Sequence, residues 1–289
     1  MIANLKNGLQ PSVGGDWKPE MMITSRDNSL LRHARAVRDG KSHESIFVEG
    51  LRLCEEALRS QLGIEALIYS DQLATKERAA ALIRELDKMA AKSAAVSEKL
   101  LASISYTKTP QGIIVLATRP TTNRKRFAQN QDGIPLLVIL HGINNPVNLG
   151  AILRTAEAAG VSGVLTTSGT TDPFSPKSLR GAMGAAFRLP IWTDLTYEEA
   201  IDWCRQRSLQ IICADAHATR SYTEFDWRVP TALVVGAESK GLSAAEISFA
   251  GAATRLPMKG LTESLNVAVA TGILLYEAQR QRTRSEADT

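Results

Sequence analysis

The second half of the chain constrains its fold most, because short apolar runs alternate there with helix-patterned segments from about residue 134 to 282. Residues 136–141, 163–167, 209–214 and 231–236 read as strands. Residues 149–159, 196–207, 243–250 and 264–280 read as helices. Strands that alternate with helices are satisfied by a mainly parallel sheet covered on both faces, which fixes the class as α/β. Ligands of such sheets bind beyond the carboxyl ends of the strands. Three polar clusters sit at strand-to-helix junctions and would collect on that edge. The first is Asn144-Asn145-Pro146-Val147-Asn148-Leu149-Gly150, with Arg154 in the helix that follows. The second is Gly236-Ala237-Glu238-Ser239-Lys240-Gly241-Leu242. The third runs from Leu256 to Ala270 and contains Ser264 and Asn266.

A smaller α/β unit precedes this one, over 22–118. Residues 49–62 carry helical periodicity, 64–69 and 112–117 read as strands, and 76–89 as a charged amphipathic helix. Between the units, residues 119–133 are polar, basic and aperiodic, and read as a linker. Residues 1–21 read as a flexible extension and 283–289 as a flexible charged tail.

Lys+Arg number 34 against 30 Asp+Glu, a net charge of +4, which permits an anionic partner without demanding one. The three cysteines, Cys54, Cys204 and Cys213, are far apart, and with four scattered histidines they outline neither a metal site nor a disulfide framework. No apolar run is long enough to cross a bilayer, and no signal segment opens the chain, so a cytoplasmic protein is expected. The glycine fingerprint of a dinucleotide fold is missing after the first strand of the second unit, which counts against a nicotinamide-dependent oxidoreductase.

Taken singly, each cluster has an ordinary reading. Asn148 and Ser264 can cap helices, Arg154 can be a solvated surface residue, and Glu238 can be a charge leading a helix. In their order along the chain, the segments N-N-P-x-N-x-G-x-x-x-R-T at 144–155, G-A-E-S-K-G-L at 236–242 and L-P-M-K-G-L-T-E-S-L-N-V-A-V-A at 256–270 resemble the three motifs of the SpoU (TrmH-like) branch of the SPOUT RNA methyltransferases. Residues 178–190 look like the family's connection between the first two motifs, with Ala182 where Ser is usual. Residues 23–28, 47–52 and 109–113 look like the substrate-binding domain of its two-domain members.

The resemblance implies 2′-O-ribose methylation of RNA with S-adenosylmethionine as cofactor, a homodimer formed through the C-terminal domain, and a trefoil knot. Ribosomal 23S RNA is the expected substrate; transfer RNA and a non-catalytic RNA-binding role on the same fold are the alternatives. By position, the cofactor-holding residues are Val235, Gly236, Ala237, Glu238, Gly241, Leu256, Pro257, Met258, Leu261, Leu265 and Asn266. Arg154 is the catalytic candidate, with Asn148, Glu238, Ser264 and Asn266 around it. The resemblance leaves open whether Arg154 accepts the hydroxyl proton or steadies charge; a guanidinium is a poor proton acceptor. Arg26, Arg32, Arg35, Arg38 and Lys41 crowd the start of the first unit and are the expected RNA-phosphate contacts.

Overall fold

The computed structural model describes residues 21–128 and 133–287, without the side chains of 284–287. The expected extension, apart from Met21, lies outside the described residues.

The first domain is a five-stranded sheet in the order β1-β4-β3-β5-β2. In chain order its elements are β1 (Met22–Ile23), α1 (Ser29–Arg38), β2 (Ser45–Glu49), α2 (Leu51–Arg59), β3 (Ile64–Ser70), α3 (Glu77–Met89), β4 (Lys92–Val96), α4 (Glu98–Ile104) and β5 (Ile113–Thr118). β1, β4 and β3 run parallel, while β5 runs antiparallel to β3 and β2. Side chains alternate across this sheet. Ile46, Val48, Leu67 and Val115 pack with Leu53, Ile83 and Leu86 of α2 and α3. Phe47, Ala66, Ile68 and Ile114 pack with Leu30, Leu31, Leu101 and Ile104 of α1 and α4.

The second domain contains α5 (Arg124–Ala128), β6 (Leu136–Leu140), α6 (Pro146–Ala158), β7 (Gly163–Thr167), α7 (Pro176–Ala182), α8 (Ala185–Arg188), β8 (Ile191–Leu195), α9 (Tyr197–Arg205), β9 (Gln210–Ala214), β10 (Thr231–Val235), α10 (Ala244–Ala250), β11 (Ala252–Thr254) and α11 (Val267–Ala287). Its six strands, in the order β11-β9-β10-β6-β7-β8, are all parallel. Leu136, Val138 and Leu140 point to the face covered by α6 and α11. Leu137 and Ile139 point to the face covered by α9 and α10. Burial on both faces explains why β6, Leu-Leu-Val-Ile-Leu, is continuously apolar rather than alternating.

Several boundaries differ from the sequence reading. The supposed linker begins with an anchor, since Arg119 donates to both carboxylate oxygens of Asp172 at 3.0 and 2.7 Å. It continues into α5, whose Phe127 is fully buried with ring centroids 5.2 Å from Trp203 and 6.1 Å from Trp192. Burying such a ring stabilises by about 1.5–3 kcal/mol, so this part of 119–133 belongs to the second domain's core. The supposed tail at 283–289 is helical as far as Ala287, the last turns of α11. α6 starts at Pro146 rather than at 149, because Asn145 is its cap and accepts from Val147 N–H at 2.9 Å. Proline at the first helical position needs no N–H there.

One apolar cluster runs through both domains, joining Leu53, Cys54 and Ala57 of α2 to Ala182, Ala185 and Ala186 of α7 and α8. The domains are therefore packed against each other and not merely tethered.

Candidate active site

The carboxyl ends of β9, β10 and β11 open onto a cavity of about 580 Å³, a size typical of small-molecule sites. Its floor is Val235, Gly236 and Ala237 after β10. Its walls are Ala214 and Asp215 after β9, Thr254 and Leu256 at β11, and Leu265, Asn266 and Val267 at the start of α11.

The turn after β10 is closed by its own backbone, with Gly241 N–H donating to the Ala237 carbonyl at 2.8 Å. A Cβ on Gly236 would stand 2.5 Å from the Gly241 carbonyl carbon. Only glycine permits this approach, which explains the residue type at the base of the motif. Gly150 has an equivalent reason on α6. A Cβ there would stand 2.5 Å from the Ser178 carbonyl oxygen, so the glycine lets α6 and α7 meet backbone to backbone.

The three motifs are tied by one line of side chains. Asn148 Nδ2 donates to Glu238 Oε1 at 3.1 Å, and Asn266 Nδ2 donates to Asn148 Oδ1 at 3.1 Å. Glu238 Oε1 also accepts from Asn145 N–H at 3.4 Å. Asn266 Oδ1 accepts from Ala268 N–H at 2.9 Å and so caps α11. The capping roles therefore fall to Asn145 and Asn266, and not to Asn148 and Ser264 as their positions suggested. Freed from capping, Asn148 acts as the link between Glu238 and Asn266, while Ser264 lines the cavity.

The exit of β6 is held by His141. Its Nδ1 lies 2.9 Å from Thr167 Oγ1 and its Nε2 lies 3.0 Å from Glu246 Oε1. Burial alone would raise the Glu246 carboxyl, but the Ser243 backbone and hydroxyl, with His141, outweigh it and hold the group below its usual range. This clamp fastens the exit of β6, where the loop 142–145 begins, to α10, the helix that follows the Gly236–Leu242 turn.

Of the expected cofactor residues, Val235, Gly236, Ala237, Glu238, Gly241, Leu256, Met258, Leu265 and Asn266 line the cavity. Pro257 and Leu261 do not, and Leu261 stands fully in solvent. Lys240 of the same turn lines it too, and so do Asp215 and His217, which lie outside the three motifs. The available signal for Asp215 and His217 is Ala-Asp-Ala-His at the end of a strand, at the sheet edge where ligands bind. Arg154 does not line this cavity. It is six residues beyond Asn148, about 9 Å along α6 and about 120° around it. It faces a separate cleft against α2.

The expected RNA contacts divide in two. Arg26, Arg32 and Lys41 are exposed. Arg35 is spent on the Arg26 carbonyl at 2.8 Å, and Arg38 on Asp39 at 2.7 Å and the Ser105 carbonyl at 3.3 Å. Both of these are half-buried. No helix among the described residues is long and apolar enough to cross a membrane.

The donor set suits a nucleoside joined to an amino acid. Leu242, Leu256, Leu265 and Val267 offer apolar surface for a ring, turn backbone offers N–H and C=O groups, and Asp215 and Lys240 offer opposite charges for the polar ends.

Comparison with known proteins agrees. Residues 135–276 match the SpoU rRNA Methylase family model, and residues 28–115 match the MRM3-like substrate binding domain. An uncharacterized tRNA/rRNA methyltransferase of Synechocystis is 32% identical over 90% of this chain and 94% of its own. The 23S rRNA (uridine(2479)-2′-O)-methyltransferase of Streptomyces viridochromogenes is 28% identical over 92% of this chain and 94% of its own. The solved structure of an AdoMet-bound rRNA methyltransferase from Sinorhizobium meliloti superimposes with a TM-score of 0.76, at 32% identity, over 90% of this chain and 97% of that one. With both domains matched in order and the motif side chains joined across one cavity, the chain belongs to the SpoU rRNA methylase family.

Proposed function

We propose that this protein methylates a ribose 2′-hydroxyl of RNA using S-adenosylmethionine, and that its substrate is large-subunit ribosomal RNA. The observation that carries this reading is the Glu238–Asn148–Asn266 line, which joins three distant motifs at the mouth of a cavity suited to the cofactor. When bound, the cofactor supplies an electrophilic methyl group on a sulfonium. The backbone of 236–241 and the apolar side chains beside it would hold its nucleoside end still. Such orientation alone supplies several kcal/mol of rate enhancement. Asn148, Glu238, Ser264 and Asn266 would fix the cavity mouth where the ribose enters. Coverage of nearly the whole Streptomyces 23S enzyme, both domains included, supports ribosomal RNA as the substrate.

Arg154 is assigned the charge-stabilising role, steadying the negative charge that grows on the 2′-oxygen and its adjacent phosphate. The hydroxyl proton would pass to solvent, and the methyl group would exchange its bond to sulfur for one to that oxygen. Because it stands outside its own chain's cavity, the complete centre is inferred to form between two copies. An exposed apolar groove on α6 and α11 supports this, with Val269, Ile273 and Tyr276 open to solvent beside Ala151 and Thr155. We also infer the trefoil knot between β9 and α11. In support, the chain leaves β10, returns to the far side of β9 as β11, then comes back as α11 to pack on α6. Arg26, Arg32 and Lys41 are retained as RNA contacts of the first domain. The compartment is inferred to be the cytoplasm, where free buried thiols such as Cys54, Cys204 and Cys213 stay reduced.

The test is a map of ribose-methylated positions in total RNA from cells with and without the gene. A ribosomal site should appear with the wild type and vanish with Arg154→Ala. Methylation unchanged by loss of the gene would refute the reading.

A further inference from the structure

Between the domains lies a cleft of about 410 Å³, walled by α2 on one side and by α6, α7 and α8 on the other. Its charges are unequally matched, since five arginines face it against three glutamates. Three of the arginines are neutralised. Arg78 is bidentate on Glu55, with its closest contact at 2.8 Å, and Arg59 lies 2.5 Å from Glu56. Arg188 joins Glu56 of the first domain, at 2.6 Å, to Glu157 of the second. Burial opposes the charge on Arg188, but the Glu157 and Glu56 carboxylates raise its pKa. The other two, Arg52 on α2 and Arg154 on α6, are exposed, and no hydrogen bond or ion pair holds either among the described residues. One unpaired guanidinium thus stands on each wall of a cleft whose walls are pinned together by Arg188 and by the shared apolar core.

We propose that this cleft is a binding track for the sugar-phosphate backbone of the RNA, with Arg52 contributed by the first domain and Arg154 by the second. The guanidinium fork matches phosphate geometry. Because the other three arginines are held by glutamates, the cleft's net positive charge falls on Arg52 and Arg154. The inference rests on the RNA-methyltransferase reading and adds to it a second contact surface, separate from the α1 cluster. It also gives Arg154 a phosphate to hold next to the ribose it serves. A cationic or neutral ligand has no reason to choose this cleft.

The test is binding of in vitro transcribed 23S ribosomal RNA to the full-length protein across a salt series. Each phosphate contact contributes about 0.7–0.9 to the slope of log affinity against log salt. Arg52→Gln should lower that slope by about one and weaken binding roughly 3–10-fold at 0.15 M salt, with cofactor affinity and melting temperature unchanged. Glu55→Gln should act in the opposite sense, because it frees Arg78 into the cleft. Arg84→Gln, an exposed change on α3 outside the cleft, should leave the slope nearly as it was. If Arg52→Gln binds like wild type, or Arg84→Gln weakens binding equally, the cleft proposal is wrong while the methyltransferase reading stands. If wild-type protein neither binds nor methylates the RNA, that reading fails and the cleft proposal with it.

Discussion

The cavity at the ends of β9, β10 and β11, proposed to hold the cofactor, and the interdomain cleft lie at opposite ends of how a sequence can specify a site. The cavity is built from backbone turns at the ends of parallel strands, with side chains mainly tying one turn to the next. The cleft is built from long charged side chains on helices of two domains. Short-range constraints write the first into the sequence. Gly236 must be glycine, Asn145 must cap, and Asn148 must reach Glu238, so the residues stand in compact motifs. The second depends on how two domains dock, and its members, Arg52, Glu56, Arg154 and Arg188, are scattered over more than a hundred positions.

That contrast can be broken by substitution. The largest effect is expected at Arg154, where Arg154→Ala should reduce turnover by about 10²–10³-fold, the usual cost of removing a charge-stabilising donor. Cofactor affinity measured by calorimetry should hardly move, because Arg154 is outside the cavity. Arg154→Lys should keep part of the rate. Gly236→Ala should do the reverse and weaken cofactor binding by about 10-fold or more, since relieving the clash costs 1–3 kcal/mol. Its RNA affinity should be preserved; loss of both affinities together would mean that the turn supports the whole domain and not the cavity alone.

A change of intermediate size tests whether the two regions meet across a second copy. Val269→Asp buries a charge if α6 and α11 form an interface, and should shift the sedimenting species from dimer to monomer with activity lost. A protein that sediments as a monomer before the change would remove the dimer proposal. The smallest effect concerns pH. Burial opposes the Glu56 charge, but Arg188 and Arg59 hold its carboxyl below its usual 4.5. A depressed carboxyl contributes stability above its unfolded pKa, and this is lost as pH falls through the folded value. The melting temperature of wild type should therefore exceed that of Glu56→Gln at pH 7, and the gap should close as the pH falls below 4.5. A gap independent of pH would show that Glu56 acts through packing and hydrogen bonding and not through its charge.

Much of the second domain was legible because burial on both faces leaves unbroken apolar runs, and β7 falls on its expected residues, Gly163–Thr167. The strands β1 and β11, of two and three residues, carry too little pattern to be legible, and β4, Lys-Ser-Ala-Ala-Val, has a single β-branched residue among small and polar ones. α1 has a cap, Asn28, and a buried stripe, Leu30, Leu31, Ala34 and Val37, but Arg32, His33, Arg35 and Arg38 interleave with that stripe and mask its period. The basic run at 124–126 likewise hid Phe127, whose burial depends on two tryptophans more than sixty residues away. The direction of Arg154 was beyond any motif, because it follows from helix phase and from the neighbour that α6 meets.

The central claim is that the cavity presents a methyl donor to an RNA ribose and that Arg154 serves the transfer from outside that cavity. It is tested most directly by incubating the purified protein with S-adenosylmethionine labelled in its methyl group and a 23S ribosomal RNA transcript, then locating the label by nuclease digestion. Wild type should place label on a single ribose 2′-oxygen, and Arg154→Ala about 10²-fold less or lower. At a cofactor concentration too low for Gly236→Ala alone, mixing the two variants should recover label, because one site of a mixed pair joins an intact cavity to an intact Arg154. Label on a base, or Arg154→Ala protein as active as wild type, would contradict it.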